Sequence, residues 1–378
     1  MRILHLDPDD VDNPLSGGGP VRTREIYRRL ARRHEITVLT PTFEGSTPAV
    51  VRGGVSYQRL GRKVGDHGSS HHLTFLAALP RAVRRFDYDL LVEDLMPPCS
   101  ATWTPLFARR DRPLIASVQW FFAREYTRRL KLPFHWGEEY GIRMYRHFVV
   151  LTEAMRQTIE ARHPRADCRL IPNGVDDALF GLEPVVGDFI LYVGRLEIHA
   201  KGLDLLLQAL ARVPEAERLP LVVAGSGHDM AHWEPLLDAS GMRPWVRCVG
   251  HVKEAERNEL LRTCRFLVMP SRIETFGMTI AEANAAAKAV IVWDVAPMNE
   301  VAAPTCVRVA PFDVQAYAQA MVSLSRAGAD ELQSRGSAAR EWARRFNWDA
   351  VAAAQEDYYL QTLQTHRAGA QRSSASSR

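Results

Sequence analysis

The stretch FLVMPSRIETFGMTIAEANAAA, residues 266–287, decides the fold. Phe266–Met269 is a short, continuous apolar run, the pattern of a strand buried on both faces. Pro270 ends it. A polar loop with Glu274 and Gly277 follows, and an Ala-rich helix is predicted over 279–287. Strand, loop and helix in that order form one α/β unit, and the pattern repeats in both directions. Downstream comes Val290–Trp293. Upstream come Val246–Val249, Leu221–Ala224 and Phe189–Val193, separated by helical segments over 203–212 and 254–263. An earlier series runs Ile3–Leu6, Ile36–Thr40, Leu90–Val92, Leu114–Val118 and Phe148–Leu151, with helices over 22–33, 73–85 and 153–162 between them. Two such series predict two Rossmann-like domains with parallel sheets covered on both faces. Their joint is expected near 173–187, which is rich in Gly, Asp and Pro. The expected domains are 1–175, completed by a helix at about 350–365, and 176–349. Residues 366–378, rich in Ser, Ala and Arg, are expected to fray.

The totals fit this reading. The chain has 378 residues, 46% hydrophobic and 24% charged, with a net charge of only +4. That is the balance of a globular protein and too weak a charge to argue for nucleic acid. Arginines cluster at 22, 24, 28, 29, 32 and 33, and again at 124, 128 and 129 beside Lys131. Such runs are usually solvated helix faces; the sharper reading is a surface for anionic lipid or an anionic acceptor. Cys99, Cys168, Cys248, Cys264 and Cys306 are scattered without CxxC spacing and suggest neither disulfides nor zinc. Arg2–Leu6 is too short for a signal peptide, and no stretch approaches the ~20 apolar residues that cross a bilayer. A cytoplasmic location is expected, with peripheral contact at the inner membrane face as its variant.

In parallel sheets, ligands sit beyond the carboxyl ends of strands, so chemistry is sought in those loops. Ser16-Gly17-Gly18-Gly19-Pro20 opens a helix and suits a phosphate, though a plain tight turn would look the same. Gly194-Arg195 and Lys201-Gly202 put two cations after a buried strand, where a diphosphate is their natural partner; ordinary surface cations are the bland alternative. Gly225-Ser226-Gly227 suits a nucleoside, and Gly250-His251-Val252 offers backbone groups to a base. In the opening stretch, Glu274 and Glu282 can accept hydrogen bonds from hydroxyl pairs. The amides of Thr275, Phe276, Gly277, Met278 and Thr279 between them can receive phosphate. A capping acid and a solvated helix glutamate would be the alternative.

These residues resemble the retaining glycosyltransferases of the GT-B fold, specifically family 4. Glu274 and Glu282, seven residues apart in between, resemble that family's E-x7-E signature. Gly194-Arg195 with Lys201-Gly202, the glycines at 17–19, and Ile171-Pro172-Asn173-Gly174-Val175-Asp176 match its other landmarks. Trp348 and the helix after it are similar to its closing segment. The resemblance implies a nucleotide-sugar, a UDP- or GDP-sugar, bound in a cleft between the domains as co-substrate, with no metal. It implies that Arg195 and Lys201 hold the diphosphate, Glu274 the transferred sugar and Glu282 the ribose, while Gly18 and Gly19 approach the phosphate. Transfer to a hydroxyl acceptor on a glycan, lipid or small molecule would then retain the anomeric configuration.

One departure stands out. Family members commonly carry a histidine after the strand that corresponds to Leu114–Val118, where this chain has Gln119. Glutamine can bond a hydroxyl but cannot carry a proton near neutral pH. A nucleotide-sugar-binding protein without catalysis is therefore one rival reading, and an epimerase or phosphorylase on the same fold another. An epimerase would consume donor without acceptor; a pure binder would neither hydrolyse nor transfer. Asp7-Pro8-Asp9-Asp10 resembles a metal-binding DxD but reads as a turn or an acceptor-contacting loop. Asp87 and Asp89 precede their strand, and Glu93 and Asp94 follow it as acceptor candidates. Trp120, Phe121, Phe122, Tyr126, Phe134 and Trp136 form an aromatic acceptor platform or simply core.

Overall fold

The computed structural model describes residues 1–376 except 14, 15, 17, 63–69, 97–99, 101, 122, 124–126, 129 and 130. Gly17, Cys99, Phe122, Arg124, Tyr126 and Arg129 lie outside the described residues. The chain divides into two compact units, Met1–Asn173 with Trp348–Arg378, and Gly174–Asn347.

The first unit runs β1 (Arg2–Leu6), α1 (Gly18–Leu30), β2 (Glu35–Pro41), β3 (Ala49–Arg52), β4 (Val55–Leu60), α2 (Ser70–Arg85), β5 (Leu90–Leu95), β6 (Leu114–Val118), α3 (Phe134–Ile142), β7 (His147–Val150), α4 (Glu153–Arg162) and β8 (Asp167–Leu170). Its sheet order is β3-β4-β2-β1-β5-β6-β7-β8, parallel except for the β3–β4 hairpin. That hairpin turns at Gly53-Gly54, both at positive φ, the backbone that a two-residue turn of this kind demands.

The second unit runs α5 (Asp177–Phe180), β9 (Ile190–Val193), α6 (Leu203–Arg212), β10 (Leu221–Ala224), α7 (Met230–Ala239), β11 (Val246–Gly250), α8 (Glu254–Thr263), β12 (Phe266–Met269), α9 (Met278–Ala285), β13 (Val290–Trp293), α10 (Met298–Val301), β14 (Val307–Val309), α11 (Val314–Arg326) and α12 (Ala329–Ala343). Its strands are all parallel, in the order β11-β10-β9-β12-β13-β14.

The last helix, α13 (Trp348–Ser376), belongs to the first unit and packs on α1. Trp348, Val351, Ala352, Gln355, Glu356, Tyr358, Tyr359, Thr362 and Leu363 are its buried positions among the described side chains, a three-and-four spacing that lines one helix face. The α1 arginines meet it. Arg29 Nε lies 2.5 Å from Asp349 and Arg33 Nε 2.9 Å from Glu356, while Arg22 is buried against Gln355 Oε1 at 2.9 Å. This cluster is thus not a uniformly solvated face.

Two expectations are corrected here. The helix does not fray at about residue 366 but continues to Ser376, since Ala, Gln and Arg are strong helix formers that sustain it. Glu93 and Asp94 lie within β5 rather than after it, because the strand extends to Leu95. Among the described residues no helix is long and apolar enough to cross a membrane.

Buried side chains such as Trp348, Tyr359 and Leu363 contribute roughly 1.5–3 kcal/mol each, against a total stability of about 5–15 kcal/mol. Ending the chain after His366 should therefore leave the melting temperature near wild type, whereas ending it before Trp348 should prevent accumulation of folded protein, as read by soluble yield and circular dichroism.

Candidate active site

Parallel strands β11, β10, β9 and β12 are consecutive neighbours, so their carboxyl-end loops form one row along the edge of the second sheet. These loops are stitched together through their backbones. Gly225 N donates to Gly250 O at 2.7 Å, Gly194 N to Ala224 O at 3.0 Å, and Leu196 N to Ser226 O at 3.0 Å. Arg272 N and Ile273 N both donate to Ala200 O, at 2.9 and 3.1 Å. Arg272 also grips Asp204 with two bonds of 2.7 Å.

Two glycines make this row possible. Gly202 caps α6 in the left-handed region, and a Cβ there would stand 2.0 Å from Pro270 O. A Cβ on Gly225 would stand 1.8 Å from Gly194 O. Both positions need glycine for contacts within the protein, whatever else they admit.

The closure at Gly202 brings Lys201 to Glu274, with Nζ 2.8 Å from Oε1. Ser271 Oγ donates to that same oxygen at 2.8 Å. Glu274 Oε1 thus has a cation and a hydroxyl on one side. Arg195 lies on the same loop but is turned outward, largely exposed, and paired with Glu197 at 2.7 Å. Ser226 and His251 are exposed on neighbouring loops.

After Glu274 the chain buries Phe276 against Phe346, with ring centroids 5.5 Å apart at 90°. Gly277 then takes φ +88° as the cap of α9. The next amides, of Met278 and Thr279, start a helix and have no preceding turn to bond, which leaves donors and positive dipole there. Glu282, one turn on, is buried and ion-paired with Arg257 at 3.0 Å. Burial raises its pKa, an effect that Arg257 opposes and the nearby Asp176 reinforces. Lys201 and Glu274 are therefore in direct contact, whereas Arg195 and Glu282 each hold a separate partner. Arg257 carries no motif in the sequence; only the fold places it beside Glu282.

In the first unit, Gly18 and Gly19 are the opening residues of α1 rather than a loop ahead of it, since Pro20 suits a first helical turn. A Cβ on Gly19 would meet the Gln119 side chain at 3.9 Å. Gln119 Nε2 donates to Asp94 Oδ2 at 3.1 Å and to Ser117 Oγ at 3.3 Å, so its carbonyl oxygen is the end left for other partners. Asp10 is buried with Arg59 at 2.8 Å, and Asp7 Oδ1 accepts from Asp9 N at 3.0 Å, making the acidic segment a bonded turn. Burial first, then the Asp94 charge, push the Asp7 carboxyl well above the usual range. Asp87 and Asp89 pair with Arg2 at the amino edge of β1. Trp136 is 61% exposed, while Phe121 stacks under Arg162.

Removing the Lys201 amine should leave the Glu274 carboxylate short of its cation, at a cost of about 1–3 kcal/mol. Urea unfolding of Lys201→Ala should show that loss, and Lys201→Met with Glu274→Gln together should recover part of it.

Comparison with known proteins agrees with this architecture. Residues 16–179 match the family model described as Glycosyltransferase Family 4, and residues 187–327 the one described as Glycosyl transferases group 1. The phosphatidyl-myo-inositol mannosyltransferase of Mycobacterium tuberculosis (strain CDC 1551 / Oshkosh) is 31% identical over 378 residues, 93% of this chain and 94% of that protein. Among solved structures, the sucrose-phosphate synthase of Thermosynechococcus elongatus superposes with TM-score 0.80 at 19% identity, covering 97% of this chain and 100% of that one. Anabaena Alr3699/HepE in complex with UDP-glucose does so with TM-score 0.73 at 16% identity, covering 97% and 100%. A full-length relative above 30% identity and two models that span both units lead to one conclusion: the chain is a GT-B glycosyltransferase that belongs to family 4, group 1.

Proposed function

We propose that the protein moves a sugar from a nucleoside diphosphate sugar to a hydroxyl acceptor with retention at the anomeric carbon. The observation that carries this reading is the Lys201–Glu274 contact at 2.8 Å, beside the row of strand-end loops that hold Arg195, Ser226 and the α9 amides. A lone carboxylate there would repel a diphosphate. Paired with Lys201 it lies between a cation for phosphate and its own free oxygen for sugar hydroxyls.

In this reading Lys201 and the α9 amides receive the diphosphate, and Arg195 exchanges Glu197 for a phosphate oxygen. The bond between the anomeric carbon and the phosphate oxygen breaks as charge gathers on the diphosphate, where these groups stabilise it. The acceptor oxygen attacks the same face, and its proton passes to the departing phosphate. No carboxylate nucleophile is required. Glu282 takes the ribose diol. Gln119, its amide turned to Asp94, offers a carbonyl oxygen to a sugar hydroxyl. Gly18, Gly19, Gly194, Gly225, Gly227, Val252, Thr275, Phe276, Gly277, Met278 and Thr279 complete the proposed donor contacts. The 31% identical relative, by its name a phosphatidyl-myo-inositol mannosyltransferase, supports a lipid-borne polyol as acceptor and a hexose as the transferred sugar.

A thermal-shift panel of UDP, GDP, ADP and dTDP should single out one nucleotide, because only a ligand of the folded state raises the melting temperature. Lys201→Ala should weaken that nucleotide at least about tenfold, a loss of ~1.4 kcal/mol. A panel with no response, or an unaffected variant, removes the donor assignment. With donor and acceptor in hand, Gln119→Ala should lower kcat more than it raises the donor KM; a wild-type kcat would take Gln119 out of the site.

A further inference from the structure

The first sheet carries a second polar constellation, and the strand pattern explains how it forms. Alternate residues of a strand share a face. On the face that packs against α1 and α13, β1 reads Ile3 then His5, β5 reads Leu90, Val92 then Asp94, and β6 reads Ile115 then Ser117. Each row is apolar until its carboxyl end and then turns polar. Asp7 continues the β1 row. The parallel register of β1 with β5 sets His5 beside Val92, one position short of Asp94 on that face.

His5, Asp7 and Asp94 are each at least 97% buried, and each offers one ligand atom within 4.8 Å of the other two. His5 Nε2 and Asp94 Oδ1 face each other at 3.3 Å, yet neither makes a hydrogen bond. The other His5 nitrogen, Nδ1, is held by Tyr27 Oη at 2.6 Å, and Tyr27 in turn by Tyr359 at 3.2 Å. That is the outer support that orients a metal-binding imidazole. Among the described residues no arginine or lysine pairs with Asp7 or Asp94. Arg22 is close, but its guanidinium is spent on Pro172 O, Asn173 Oδ1 and Gln355 Oε1. Beside His5 and Asp94, a void of about 10 Å³ is lined also by Arg22, Tyr27, Ser117, Gln355 and Tyr359, room for one water-sized ligand.

We propose that His5, Asp7 and Asp94 form a buried site for one divalent transition-metal cation, Zn²⁺ by its donor set. Bonds of about 2.0–2.2 Å at tetrahedral angles put neighbouring ligand atoms roughly 3.3–3.5 Å apart, and the His5–Asp94 pair already stands at 3.3 Å. Asp7, whose ligand atom lies within 4.8 Å of the other two, closes the set by a short shift toward them. The void supplies the fourth ligand as water. An imidazole nitrogen favours this class of ion over Mg²⁺ or Ca²⁺, which take oxygen ligands. In the first unit the ion would tie the ends of β1 and β5 together, beside Gln119, whose amide bonds the other Asp94 oxygen.

The test uses the full chain, purified without a histidine tag, stripped with EDTA and dialysed into metal-free buffer. Titration with Zn²⁺ should give one retained equivalent by elemental analysis. At a hundredfold excess over Kd the melting temperature should rise by roughly 3–4 °C, and Mg²⁺ should leave it unmoved. Co²⁺ should give the visible absorption of a four-coordinate ion. His5→Gln and Asp94→Asn should each lose the equivalent, whereas His71→Ala, which breaks the adjacent His71–His72 pair, should keep it. Wild-type protein that retains no stoichiometric metal overturns the proposal, as does a folded His5→Gln that still does. Should both buried variants fail to fold, the wild-type Co²⁺ spectrum decides: six-coordinate or absent bands reject the site.

Discussion

The approach of Gly202 to the Pro270 carbonyl holds the second unit's site together. A side chain at 202 would collide with that oxygen, so only glycine lets the start of α6 lie against the end of β12. The contacts between the loops after β9 and β12 follow from it. Ala200 can accept two amides from the 272–273 segment, Arg272 can reach Asp204, and Lys201 can meet Glu274. Charge placement here is thus a consequence of backbone sterics, and the Lys–Glu pair is the outcome rather than the cause of the local fold.

Polar residues at the ends of buried strands divide into two kinds in this molecule. In the second unit they sit in loops after the strand, from the largely exposed Arg195, paired with Glu197, to Lys201 and Glu274, which are mostly covered. In the first unit they sit in the strands themselves and are buried, as His5 and Asp94 are. Loop residues suit ligands that come and go. Strand residues have little freedom, so a partner they lack must be small or permanent.

Fold class was legible because β9, β10, β12 and β13 are unbroken apolar runs and β1, β5 and β6 are apolar over most of their length, as burial on both faces requires. β3, β4 and β8 were not, because they lie toward the sheet edges and alternate or carry charge, as in Asp167-Cys168-Arg169-Leu170. Glu274 and Lys201 could be singled out from position alone, since each follows a buried strand. Their mutual contact could not, because 73 residues separate them and only the β9–β12 adjacency brings them together. The buried cluster was hidden for a related reason. Asp94 reads as a loop acid until the strand is seen to run on to Leu95, and His5 reads as one residue in an apolar run.

The return of α13 to the first unit has a consequence for the order of synthesis. The ribosome releases β1 through β8 first, with α1 and the inner sheet face still lacking the helix that covers Ile26, Tyr27 and Val92. The second unit, whose strands and helices are contiguous from Gly174 to Asn347, emerges complete before that cover exists. The inner face of the amino-terminal sheet therefore gains its helix cover only once the residues from Trp348 onward have been made, after the whole of the second unit.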